Sequence, residues 1–208
     1  MQKWTNHKIK YTMSENVTTK CVIGEVRLSY VHIFKPEAVE EGGEKKYSVS
    51  VIIPKTNTKL VNEIKKAVSA ALQMGVASKF GGKMPTNWKN PLRDGDLEKA
   101  DDEAYAGSYF ISASSKTKPG VVKRVKVNGQ NALVEVTNEE DVYSGCLGFV
   151  SINFFPFSNA GNKGVGAGLN NVLKTRDGDY LGGRSSAQTD FGGINLDQFE
   201  DDDEDMPE

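Results

Sequence analysis

Between Ser114 and Val127 the chain reads SSKTKPGVVKRVKV, with five bases in fourteen residues: Lys116, Lys118, Lys123, Arg124 and Lys126. Cations gathered this closely attract a phosphate backbone and release its counterions. Unpaired bases also need flat apolar surfaces, which aromatic rings supply without regard to sequence. In GFVSINFFPF (148–157), strand alternation puts Phe155 and Phe157 on the face of Ser151 and Asn153, opposite Val150, Ile152 and Phe154. Phe110 shares its face with Ser112 and Ser114 in the same way. Tyr30 and Trp88 are further candidates, the latter in FGGKMPTNWKNP beside Lys83 and Lys89. Arg27, Lys163, Lys174 and Arg176 extend the cation set. Each feature has a plainer reading, a solvated charged hairpin or a core aromatic. Their conjunction points to a surface for single-stranded nucleic acid.

Other chemistry is poorly supported. GVGAG (164–168) follows a strand-like run, but its spacing is not G-x-G-x-x-G and no Gly-Lys-Ser/Thr follows. The triplets Asp94–Asp96 and Asp177–Asp179 read as Asp-Gly turns, since a calcium loop needs oxygen ligands at further fixed offsets. With only His7 and His32, and two cysteines in apolar runs (Cys21 and Cys146), no zinc or nucleophile pattern appears. The expectation is no enzyme, no cofactor and no metal.

The elements that must hold these residues are mostly strands. Cys21–Phe34 reads as a strand with Val22, Val26, Leu28 and Tyr30 on one face and Glu25, Arg27 and Ser29 on the other. Residues 47–54 form a second strand, with Tyr47, Val49, Val51 and Ile53 aligned. One helix spans 58–74, from the apolar stripe of Leu60, Ile64, Val68 and Leu72. Asn57 or Thr58 caps it and Gly75 sits at its stop. Residues 76–107 form a long connection, a length that points to function or mobility. Strands resume at 108–114, 121–127, 145–157 and 164–176. The absence of βαβ alternation after residue 75 favours a small antiparallel barrel.

Net charge, −2 overall, conceals an asymmetry. Residues 197–208, DQFEDDDEDMPE, carry 8 of the 28 acids and no base, leaving 20 acids against 26 bases, +6, in the rest. Separated charge of this kind points to an electrostatic partner more than net charge does. No apolar run reaches the ~18 residues of a membrane span, and the first residues do not read as a signal peptide. A location in the cytoplasm, that of the host cell if the chain is phage-encoded, is expected. Residues 1–17 read as a loose arm, 18–191 as the folded domain, and 192–208 as a disordered acidic tail.

RLSYVHIFKP (27–36), KYSVSVIIPK (46–55), SYFISASSKTKP (108–119) and, most distinctively, YSGCLGFVSINFFPFSNAGNKGVGAGLNNVLKTRDGDYLGGRSSAQTDF (143–191) resemble phage-encoded single-stranded DNA-binding proteins, a family formerly catalogued as a domain of unknown function. The resemblance implies an OB-fold, a five-stranded antiparallel barrel, here with one prominent α-helix and long loops. It implies non-catalytic, largely sequence-independent binding of single-stranded DNA in phage replication or recombination. The tail, with Phe199 among Glu200, Asp201, Asp202, Asp203, Glu204 and Asp205, is similar to tails that recruit replication partners. Exposed barrel edges allow a homodimer. A scaffold protein that uses its acidic tail, or an RNA-binding OB-fold, would share these features.

Overall fold

The computed structural model describes residues 18–38, 42–159, 161–182, 191 and 193–194. In chain order the elements are β1 (Lys20–Glu37), β2 (Lys46–Pro54), α1 (Thr58–Ser78), β3 (Arg93–Asp94), α2 (Gly95–Glu98), β4 (Ser108–Ser115), β5 (Gly120–Val127), β6 (Gln130–Glu135), β7 (Leu147–Asn159) and β8 (Asn162–Arg176). Short 3₁₀ turns lie at Glu103–Tyr105 and Glu139–Asp141. The expected loose arm (1–17), residues 197–208 and most of the segment between the last strand and that tail fall outside the described residues.

Five strands close on themselves in the order β1-β2-β4-β8-β7 and back to β1. Four of these pairings are antiparallel, whereas β4 and β8 close the barrel in parallel at Ser114↔Gly168. A meander of three strands with the fifth wedged between third and fourth is the OB-fold arrangement. The parallel seam departs from the purely antiparallel barrel expected, and the connection between the two strands, which runs through β5–β6 and β7, provides it with a crossover.

Alternation fills the barrel. Val49, Val51 and Ile53 point inward from β2, Ile111 and Ala113 from β4, Val150, Ile152 and Phe154 from β7, and Val165, Ala167 and Leu169 from β8. In β1 the alternation slips. Cys21, Ile23, Val26 and Leu28 are buried while Val22 and Tyr30 are exposed, because one register shift separates Ile23 from Val26 and a second separates Ser29 from His32. A bulge turns every later side chain to the other face. The single face expected for Val22, Val26, Leu28 and Tyr30 is therefore corrected.

The helix packs its expected stripe against β1, β7 and β8, burying Leu60, Val61, Ile64, Ala67, Val68, Ala71 and Leu72. Fully burying a Leu, Ile or Val side chain contributes about 1.5–3 kcal/mol, so this face holds the helix in place. Asn57 Oδ1 accepts from the Leu60 N–H at 3.3 Å, the cap expected. Gly75 does not stop the helix. It is buried inside α1, where a Cβ would fall 2.2 Å from the Phe80 ring and 2.8 Å from Pro156. Close approach, not termination, is the reason for this glycine.

Beyond the barrel, β5 continues the sheet from the far end of β8, with Gly120–Lys123 alongside Asn171–Lys174, and β6 lies outside β5. β6 was not among the strands expected. Its turn, Asn128-Gly129, has φ of 49° and 78°, the left-handed pair that Asn-Gly hairpins adopt.

Candidate nucleic-acid interface

OB-folds bind oligonucleotides on the outer face of their second and third barrel strands and through the loops joining strands one to two and four to five. Here the second and third strands are β2 and β4. Their outward residues are Ser48, Ser50 and Ile52, paired across the sheet with Ser114, Ser112 and Phe110. Ser29 of β1 continues the row, opposite Ser50. Ser50 Oγ and Ser112 Oγ are hydrogen-bonded at 2.9 Å. Ser29 and Ser50 are themselves buried, so the hydroxyls that reach the surface are those of Ser48, Ser112 and Ser114.

One end of this face is covered. The segment Arg93–Gly107, part of the long connection, folds back over it. β3 pairs with the start of β4 through Arg93↔Phe110 and Asp94↔Tyr109. The Arg93 guanidinium lies 4.6 Å from the Phe110 ring centroid, and Tyr105 meets Phe110 edge-on at 5.2 Å. Lys55 Nζ fastens the segment, donating to Asp94 Oδ1 at 2.6 Å and Asp96 Oδ2 at 2.7 Å. The Lys55 ammonium, and then the Gly107 N–H, hold the Asp96 carboxyl below the usual carboxylate range. The first Asp-Gly-Asp triplet is thus a clamp and helix cap. Among the described residues no cluster of metal-ligating side chains occurs.

Phe110, expected on the polar face, is on that face but 1% exposed. It offers no ring to a base, and the expectation of stacking there is corrected. Its strand position was right; the cover is the connection immediately before β4, which folds back over the strand it leads into. Trp88 is half-buried and packs against the core beside Leu72 and Leu92, so it pins its own loop.

Away from the cover, the outer surface runs from β4 across the parallel seam onto β8 and β7. Gly166 and Gly168 form its floor, with Asn153, Phe155 and Phe157 alongside. Phe155 is 43% exposed. Its ring fills the space above β8, where a Cβ on Gly166 would lie 2.7 Å from it. The glycine-rich run thus makes a seat for an aromatic ring on a sheet surface. Phe157 is half-buried opposite Gly164.

Cations stand at both ends of this strip. At the β5 end, Lys118, Arg124 and Lys126 are exposed and have no carboxylate partner within ion-pair distance among the described residues. At the other, Lys163 is the second residue of β8 and its ammonium donates to the Phe80 carbonyl at 3.5 Å. Lys89 joins it there through backbone bonds: its N–H donates to Lys163 O at 2.9 Å and its carbonyl accepts from Val165 N at 3.0 Å. Lys79 and Lys83 flank Phe80 in sequence and are exposed. From Lys163 to Asn171 the strip runs about 26 Å at about 3.3 Å per residue.

Several other expected phosphate contacts are engaged inside the protein. Arg27 donates from Nη2 to the Asp179 carbonyl at 3.0 Å and from Nε to the Gly145 carbonyl at 3.4 Å, fixing the 177–181 loop. Lys123 pairs with Asp141 at 2.6 Å. Lys174, with a side chain only 12% exposed, pairs with Asp177 at 2.7 Å, and this bond is the main reason the Asp177 carboxyl is depressed. Arg176 pairs with Glu25 at 2.9 Å; Glu25 is lowered first by the Thr175 hydroxyl and then by Arg176. Lys116 meets Glu44 at 2.5 Å, but both side chains are largely exposed. Tyr30 is half-exposed, with Lys99 Nζ 5.0 Å from its ring centroid. Lys89, Lys99 and the glycine seat are what the sequence did not single out. The proximity of FGGKMPTNWKNP to the start of β8 was the missing information.

A cleft of about 1370 Å³ lies elsewhere, between the end of β1 and the loops at 138–144 and 177–180. It carries Glu37, Glu139, Glu140, Asp141 and Asp177 against Lys35 and Lys174. Its excess of negative charge does not suit a phosphate backbone.

Among solved structures, the single-stranded DNA-binding protein of bacteriophage Enc34 in complex with single-stranded DNA is similar with a TM-score of 0.65 and 27% identity, covering 79% of this chain and 90% of that one. The T7 phage protein gp2.5, also a single-stranded DNA-binding protein, shares the fold at 16% identity with a TM-score of 0.51 over 88% of this chain and 98% of its own. Putative protein p50 of Acyrthosiphon pisum secondary endosymbiont phage 1 is 33% identical over 187 residues, 85% of this chain and 95% of that relative. The family described as "Enterobacter phage Enc34, ssDNA-binding protein" matches residues 19–206, and with nearly the whole chain covered by that match, this protein belongs to that family of phage proteins.

Proposed function

We propose that this chain binds single-stranded DNA without catalysis and with little sequence preference, on the outer surface of β2, β4, β8 and β7. The observation that carries this reading is Phe155, a half-exposed ring seated on Gly166 between two groups of cations on an OB-fold. Phe155 stacks on a base, and Phe157 and Tyr30 bound the same surface. Lys118, Arg124 and Lys126 at one end, and Lys163 with Lys89 at the other, contact phosphates. Lys116 joins them once a phosphate replaces Glu44. Ser48, Ser112 and Ser114 supply hydroxyls along the way. The solved Enc34 relative, held in complex with single-stranded DNA, supports the reading.

The acidic residues 197–208 compete for this surface as a weak mimic of DNA and, once displaced, meet basic partners in replication or recombination through Phe199 to Asp205. Such competition is electrostatic, with a range of about 8–10 Å set by the Debye length. Deleting 197–208 is expected to tighten binding at low salt, with the gain shrinking as salt rises; equal affinities at low salt would dismiss the competition. For the binding itself, gel shifts with oligo-dT, a duplex and RNA of equal length are decisive. Retention of oligo-dT in preference to duplex supports the reading, preference for RNA reassigns the ligand, and failure to retain any strand refutes it.

A further inference from the structure

We infer that β6 is a dimerisation edge, pairing antiparallel with β6 of a second copy across a twofold axis. This inference stands on the edge strand alone and does not depend on the DNA reading. β6 is the last strand of the sheet, with β5 on one side and, among the described residues, nothing on the other. Its six residues pair with β5 in unbroken register, from Val122↔Glu135 to Val127↔Gln130. Exposed edges of this kind template pairing with another chain unless blunted by lysine, proline or a bulge. QNALVE contains none of these. Leu133, at the middle of the strand, is 63% exposed. A two-stranded ribbon is itself marginal in water and gains from a third and fourth strand.

The occupant is a second copy because the sequence complements itself. Place Leu133 opposite the partner's Leu133. Asn131 then faces the partner's Glu135, and Ala132 faces the partner's Val134. In-chain pairing sets Arg124 beside Leu133 and Lys126 beside Asn131. One face of the four-stranded ribbon therefore reads Arg124, Leu133, the partner's Leu133 and the partner's Arg124. The next row brings Lys126, Asn131 and the partner's Glu135 together, opposite charges bridged by an amide. On the reverse face Val125, Ala132 and the partner's Val134 make an apolar row. No like charges face each other across the new seam, which is the condition cross-strand pairs require. A twofold contact is self-limiting, the commonest closed arrangement of identical chains. It also places Arg124 and Lys126 of both copies on one continuous face.

Sedimentation of the full chain over a concentration series, with Leu133→Lys alongside, tests the proposal. A reversible dimer is expected, and a lysine at the seam should shift it to monomer while circular dichroism stays unchanged. Register is tested by oxidising Leu133→Cys and Asn131→Cys variants, since Cys21 and Cys146 are buried. The Leu133→Cys chain should crosslink to itself and the Asn131→Cys chain should not. This crosslink reports the seam even if Leu133→Lys folds poorly. A wild-type chain that stays monomeric, a dimer that Leu133→Lys leaves intact, or crosslinking at Asn131 but not at Leu133 would each overturn the inference. None of these outcomes bears on whether one copy holds DNA.

Discussion

Phe110 and Phe155 are the same residue type on the same outer surface of one barrel, and their surroundings give them opposite work. Phe110 is enclosed by Tyr105 and Arg93, whereas Phe155 has glycine beneath it and open space above. Truncating an enclosed phenylalanine costs about 3–5 kcal/mol of stability, while a stacking ring contributes about 1–3 kcal/mol per base. Phe110→Ala should therefore lower the melting temperature strongly. Phe155→Ala should leave melting nearly unchanged and weaken oligo-dT binding by about ten- to a hundredfold, as read by titration. Glu44 offers a second test at this scale. Lys116, first, and Lys46 hold its carboxyl below the usual range. When phosphates draw those lysines away, Glu44 returns toward its ordinary value, so binding takes up protons. Affinity should then rise as pH falls through the carboxylate range, and Glu44→Gln should bind more tightly at neutral pH with a flatter pH profile. Isothermal titration in two buffers of different ionisation heat reads the proton uptake.

At the level of elements, β8 and the Arg93–Gly107 segment decide what the face can do. GVGAG in β8 is neither a phosphate loop nor a simple turn; it leaves the sheet bare so that a ring from β7 can rest on it. Gly166→Ala puts a methyl 2.7 Å from Phe155. Displacement of the ring should lower oligo-dT affinity as Phe155→Ala does, although the phenylalanine is still present; unchanged affinity would separate the seat from the site. Local patterns were legible in the residues themselves. The stripe of α1, its Asn57 cap and the inward rows of β2 and β7 follow from spacing alone. The β1 bulge was not, because a slip of register leaves no mark in residue type. The cover over Phe110 was equally hidden, since Lys55, Asp94 and Asp96 meet only through the fold.

For the molecule as a whole, charge is distributed by pairing rather than by count. Arg27, Lys123, Lys174 and Arg176 are neutralised locally by Asp179, Asp141, Asp177 and Glu25. A run of bases in the sequence could not reveal this, because each partner lies at least three residues away and most lie on another element. Of the cations expected to meet phosphates, Lys118, Arg124, Lys126 and Lys163 have no such partner among the described residues and stand at the two ends of the glycine strip. The central claim is that these cations and Phe155 together grip an unpaired strand. Its most direct test is the salt dependence of oligo-dT binding, by fluorescence anisotropy, for the full chain and for a Lys118→Ala, Arg124→Ala, Lys126→Ala variant. Each phosphate contact contributes about −0.7 to the slope of log K against log salt. The variant should bind more weakly at low salt with a slope shallower by about 2, whereas the same slope in both proteins would contradict the account.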